Sequence, residues 1–279
     1  MAIATSRLAF LAAVLVLLAS CSNADDPPPA VPTTEPQTKS PDPAARPNPS
    51  ASPAGSPELR PDLTTLRATG VRIQGSGDGR VLRFGTTLAN VGVGPIIAVP
   101  DAATRCPPEQ RSFDQVVVLD GDGDGAYDTE TDTETVSQDG VCALFHPTHD
   151  HWHIDGSARY SLLDLAGDEV VGTRKVSFCL RDSQRLRRTG GGTGSDEETY
   201  LGCARDRLQG ISPGWGDSYD SDLDGQTLAL PPGMLDGRYC LRMTADPFDR
   251  FREIDERNNA SLTALRITGS VVRVGGGWC

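Results

Sequence analysis

The sequence predicts a mostly all-β fold, a single antiparallel β-sandwich-like domain with long loops. Three observations predict it. Short runs alternate apolar and polar residues, Gly, Pro, Asn and Asp separate those runs, and no long segment sustains a 3.6-residue period. In chain order the runs are VLRFGTTLANVG (81–92), QVVVLD (115–120), EVVGTRKVSFCL (169–180), QTLAL (226–230), GRYCLRM (237–243) and SLTALRI (261–267). The stretch from 230 to 259 reads as strand, loop and acidic turn. Short strands at regular spacing favour two packed antiparallel layers.

Ahead of these runs the composition changes twice. Arg7 is followed by the apolar stretch LAFLAAVLVLLASC (8–21). One basic residue, a short apolar core and small residues before Cys21 make a secretory leader over 1–21. The core is short for a span of about 20 residues. Leu18-Ala19-Ser20-Cys21 resembles a bacterial lipobox, which implies lipidation at Cys21 and anchoring at the outer face of a membrane or the cell surface. Residues 22–60 hold 11 prolines and no aromatic residue. Such a segment buries too little apolar area to offset its ordering entropy and acts as a semi-stiff tether. The body is expected at 61–279, a length that suits one domain.

The formal net charge of −12 argues against nucleic acid as a partner, because phosphate binding needs basic clusters. Apart from Cys21 there are six cysteines: Cys106, Cys142, Cys179, Cys203, Cys240 and Cys279. An even number outside the cytoplasm implies three disulfides.

All four histidines fall in HPTHDHWH (146–153). His149, His151 and His153 are spaced i, i+2, i+4, which places them on one face of a strand. A flat strand separates the outer two by about 13 Å, whereas metal–nitrogen bonds are about 2 Å. Shared ligation therefore requires a strongly bent segment. Imidazoles suit copper and zinc alike. His146 is a fourth ligand or a supporting group. A second metal signal is LDGDGDGAYDTETD (119–132). Asp120, Asp122, Asp124 and Asp128 occupy the early positions of an EF-hand-type calcium loop, but its twelfth position is Thr131. Structural calcium and a plain acidic hairpin both fit. A related pattern occurs at Asp220, Asp222 and Asp224.

HPTHDHWH followed by SLLD (161–164) resembles the copper-binding region of the lysyl oxidases. VLRFGTTLANVG, RKVSFCL (174–180), LQGISPGWGDSYDSDLDGQ (208–226) and ADPFDRFREIDERNN (245–259) are similar to further segments of that family, in the same order. The resemblance covers roughly 60–270. It implies copper ligation by His149, His151 and His153, and a self-derived lysine tyrosylquinone cofactor made from Lys175 and Tyr219. It also implies retention of the Cys179–Cys203 disulfide, with Cys106–Cys142 and Cys240–Cys279 expected beside it. Thr148, Trp215 and Gly225 stand where animal members have cysteine.

One observation is independent of the resemblance. The chain has only two lysines, Lys39 in the tether and Lys175 in the body. An arginine at 175 could not react, because guanidinium stays protonated while a lysine amine can lose its proton. The chemistry implied is oxidative deamination of a primary amine, or of a lysine-containing protein, with molecular oxygen as acceptor and peroxide and ammonia as products. A carboxylate must remove the α-proton. Asp217 is the candidate, with Asp222 and Asp224 as rivals. The competing expectation is a non-catalytic β-sandwich lipoprotein that sequesters copper or zinc. A zinc hydrolase is the weakest reading, since no H-E-x-x-H is present.

Overall fold

Seventeen strands make up the regular structure among the described residues. The structure is a computed structural model that describes residues 56–102, 105–173, 176–187 and 197–279, all within one unit, Asn48–Cys279. The strands are β1 (Glu58–Leu59), β2 (Leu63–Thr65), β3 (Thr69–Gln74), β4 (Val81–Asn90), β5 (Ile96–Pro100), β6 (Gln110–Leu119), β7 (Thr135–His146), β8 (His151–Leu163) and β9 (Glu169–Gly172). There follow β10 (Val176–Phe178), β11 (Gln184–Arg185), β12 (Gln209–Ile211), β13 (Trp215–Tyr219), β14 (Thr227–Ala229), β15 (Gly237–Ala245), β16 (Ala260–Thr268) and β17 (Val271–Val274). Apart from one short 3₁₀ turn at Gly77–Gly79, the described residues contain no helix. Cys21 and residues 22–55 of the expected tether lie outside the described residues. Leu59, just inside the tether's expected end at 60, is buried, and β1 pairs with β6.

Two antiparallel sheets result. The larger runs β12-β5-β6-β7-β8-β15-β16-β17, with β1 beside β6 and with β9 and β10 beside β8. The smaller runs β11-β13-β4-β14, with β2 and β3 also on β4. Leu82, Phe84 and Leu88 of β4 meet Ile154, Tyr160 and Leu162 of β8 and Leu241 and Met243 of β15 in one core. Phe84 and Tyr160 touch edge to face across the layers, ring centroids 4.9 Å apart, the geometry aromatic quadrupoles favour. The expected antiparallel sandwich is the fold observed.

Local chemistry explains how the layers are fastened. Asn90, fully buried at the end of β4, uses all its side-chain capacity. Its Nδ2 donates to the carbonyls of Gly94 and Ile211, and its Oδ1 accepts from the amides of Asp62 and Gly92. A Cβ at Gly94 would run into the Leu59 carbonyl, so only glycine fits there. The segment after β2 is tied to the far end of the chain. Thr65 Oγ1 donates to the Met243 carbonyl at 2.8 Å, the Ala68 amide donates to Thr263 Oγ1 at 2.9 Å, and Ser261 Oγ donates to the Leu66 carbonyl at 2.9 Å. The six cysteines pair as Cys106–Cys142, Cys179–Cys203 and Cys240–Cys279, with Cα separations of 5.6, 6.2 and 5.7 Å. Two expected runs change shape. The single run 169–180 divides into β9 and β10. The run 115–120 is the end of the longer β6.

Candidate metal and cofactor site

The histidines lie on the β7–β8 hairpin. His146 ends β7 opposite His151, which begins β8, and Pro147–Asp150 form the turn. The His149 amide donates to the His146 carbonyl at 3.2 Å, and Asp150 takes a left-handed φ of 55°. His149 therefore stands in the turn rather than on a strand, which corrects the flat-strand placement and supplies the bend that shared ligation requires. Its Nδ1 comes to 3.5 Å from His153 Nε2, and His151 Nε2 is 3.1 Å from the same atom. A metal with bonds of about 2 Å spaces neighbouring donors about 3 Å apart, so these three side chains fit one ion. His146 packs ring to ring on His149 and His153, at centroid distances of 4.0 and 4.7 Å. Its Nδ1 is buried without a protein partner. The converging set is His149, His151 and His153.

Burial lowers the pKa of His151 and lowers that of His153 to about 4. The neighbouring imidazoles add to both shifts. The rings are thus neutral at pH 7, the state that ligates metal. Outside the hairpin, Arg205 pairs with Asp150 at 2.6 Å and covers the Phe145 ring at 4.4 Å. Trp152 meets Phe145 edge-on. From beneath, the buried Gln209 holds the strand in place. Its Nε2 donates to the Trp152 carbonyl at 2.7 Å and its Oε1 accepts from the Leu180 amide at 3.2 Å.

The second half of the site comes from β10 and β13. Phe178 pairs with Ile154 of β8, and the chain then passes through Cys179, which is 4% exposed. Tyr219, on β13, stacks on Phe178 with centroids 4.0 Å apart. Its hydroxyl is shared between the Cys179 carbonyl at 2.6 Å and Asp217 Oδ2 at 2.7 Å. Asp217 is 1% exposed; Ser183 Oγ donates to its Oδ1 at 3.1 Å, and Arg181 Nε stands 3.9 Å away. Burial outweighs these partners and pushes the Asp217 carboxyl up to about 7. Burial and the nearby Asp217 hold the Tyr219 hydroxyl well above the usual phenol value.

Lys175 lies outside the described residues, next to Val176 at the start of β10. The rival carboxylates are elsewhere. Asp222 bonds Arg72 and is exposed, as is Asp224. Asp155 is a buried carboxylate that sequence reasoning passed over. It accepts from Ser177 Oγ at 3.2 Å, and its signal was its place two residues beyond His153. In the acidic loop, oxygens of Asp120, Asp122 and Asp124 gather within 4.8 Å. Each of these side chains accepts main-chain amides within the loop. Asp128 instead accepts from the amides of Glu130 and Thr131. Asp132, not Thr131, closes the loop by accepting from the amides of Gly121 and Asp128.

The lysyl oxidase family model matches residues 132–276, a span that contains the hairpin, β10, β13 and the carboxylate beside Tyr219. The chain belongs to the lysyl oxidase family. Among its relatives, human lysyl oxidase homolog 1 is 32% identical over 134 residues, covering 46% of this chain and 21% of that protein. The chicken and pig protein-lysine 6-oxidases are each 32% identical over 129 residues. Each alignment covers 45% of this chain, and 28% and 47% of the respective relatives. The matched part of this family member spans from 15% to 47% of the length of its relatives. Trp215 is buried in the core, and Gly225 takes a φ of 82°.

Proposed function

We propose that this family member is an exported, lipid-anchored, copper- and quinone-dependent amine oxidase that converts primary amines, peptidyl lysine among them, to aldehydes. The observation that carries the reading is the Tyr219 hydroxyl, held by a buried carboxylate and by the main chain of Cys179, whose sulfur lies against His151. Copper held by His149, His151 and His153, with a quinone derived from Tyr219 and Lys175, would supply the oxidation of the amine, with oxygen accepting the electrons as peroxide. The remaining work falls to this chain's own groups. Phe178 and the Cys179 carbonyl fix the plane and direction of the Tyr219 ring. Asp217 Oδ2 takes a proton near neutrality, the range in which a general base works best. Ser183 and Arg181 keep that carboxylate from turning away. The net charge of −12 favours cationic amines at encounter.

Peptide mass analysis of copper-loaded, aerated protein tests the reading. A cross-linked Lys175–Tyr219 peptide that reacts with a hydrazine is expected. Lys175→Arg should keep the copper and lose peroxide release from amines. Uncross-linked peptides from fully copper-loaded, aerated protein would overturn the proposal and leave metal sequestration.

A further inference from the structure

His151 belongs to two clusters. One is the triad with His149 and His153. In the other, a ring nitrogen of His151 and the sulfurs of Cys179 and Cys203 lie within 4.8 Å of one another. In the disulfide the sulfurs are bonded to each other and offer no thiolate. Two electrons and two protons from a dithiol, itself oxidised to a disulfide, convert the pair to two thiols. The same three residues then present two soft sulfur donors and one imidazole, the donor set that Cu(I) prefers. Little movement is needed. Metal–sulfur bonds of about 2.3 Å place two sulfurs under about 4 Å apart, against about 2 Å in a disulfide. Cys179 is buried behind β10, while Cys203 is half-buried and leads into the exposed residues Ala204–Leu208. The motion and the approach of a reductant therefore belong to the Cys203 side. No histidine clusters with Cys106–Cys142 or Cys240–Cys279 among the described residues, and all four histidines are described.

We propose that the dithiol form of this chain binds Cu(I) through Cys179, Cys203 and His151, and that closing the disulfide dismantles this site and returns His151 to His149 and His153. Binding displaces two thiol protons. Closing the disulfide passes two electrons to an accepting disulfide by thiol exchange. One imidazole cannot serve both sites in full, so the two are alternatives. The Cys179–Cys203 bond is then a redox gate on loading of the histidine hairpin. The inference stands on the position of His151 and holds whether or not the chain oxidises amines.

The test uses the full chain, reduced anaerobically with a dithiol that is removed before one equivalent of Cu(I) is added. X-ray absorption should show two sulfur neighbours and one nitrogen, replaced by nitrogen neighbours after the disulfide is re-formed. Cys203→Ser should weaken Cu(I) binding by at least the about 10–100-fold seen when even an outer partner of a metal site is removed. Cys240→Ser should leave it unchanged. A copper shell of nitrogen and oxygen alone in the reduced wild-type protein would overturn the proposal, and that measurement requires no variant to fold. A sulfur signal undiminished in folded Cys203→Ser would overturn it equally.

Discussion

Asp217 shows how a single burial sets both proton affinity and stability. Its carboxyl titrates near 7 in the folded chain because burial penalises the anion. Its folded pKa lies above its unfolded value, so the folded state binds the extra proton. The stability linked to that proton is present below the unfolded pKa and is lost as pH rises through about 7. Asp217→Asn removes the titration but keeps an oxygen for the Tyr219 hydroxyl. The variant should lose less thermal stability than wild type between pH 5 and pH 8, the remaining loss belonging to the buried Asp246 and Glu253, whose carboxyls burial also raises, to about 7 and about 9; melting curves at both values check this. Its amine turnover should fall by about 10²–10⁴-fold, the usual contribution of a general base. The acid limb near 7 in the wild-type pH–rate profile should disappear with it. Equal pH dependence of melting in the two proteins would contradict the assignment.

At the scale of elements, the β7–β8 hairpin and its underlay decide whether the site exists. Gln209 bridges the Trp152 carbonyl and the Leu180 amide, joining the histidine strand to the chain that carries Cys179. Gln209→Leu removes the partner of the buried Leu180 amide, at about 1–3 kcal/mol, and a donor to the part-buried Trp152 carbonyl. It should also reduce metal affinity by about 10–100-fold through loss of strand orientation. Calorimetric metal titration beside a denaturant melt separates the two effects. Spacing showed that the segment must bend for its histidines to converge. It did not show that the bend is a hairpin turn, because β7 and β8 were not legible as strands. Most positions of β8 are buried on both faces, so HWHIDGSARYSLL carries no clean two-residue alternation. Asp155 was missed for the same reason.

For the whole molecule, the two layers depend on Phe84 against Tyr160. Phe84→Ala should cost about 3–5 kcal/mol, read as a lowered denaturation midpoint. Copper affinity should be unchanged while the chain is folded, since none of the contacts described around the histidine hairpin involves Phe84. The sandwich was legible because β4, β14, β15 and β16 alternate or carry turn residues at their ends. The division between the sheets was not legible, because β4 pairs with β13 and β2 pairs with β4 across separations that no local pattern records. The site inherits this property. Its groups come from 149–155, 177–183, 209 and 217–219, and only the closed sandwich assembles them.

The ties from Thr65, Leu66 and Ala68 to Met243, Ser261 and Thr263 have a kinetic consequence. Loops of nearly two hundred residues must close before these ties form, and such non-local contact folds in on the order of milliseconds to seconds rather than microseconds. During synthesis, residues 63–68 remain without these partners until the stretch through residue 263 has emerged. The passage from nascent chain to closed sandwich thus leaves a window in which Cys179, Cys203 and the four histidines have emerged while the layers that enclose them are still open.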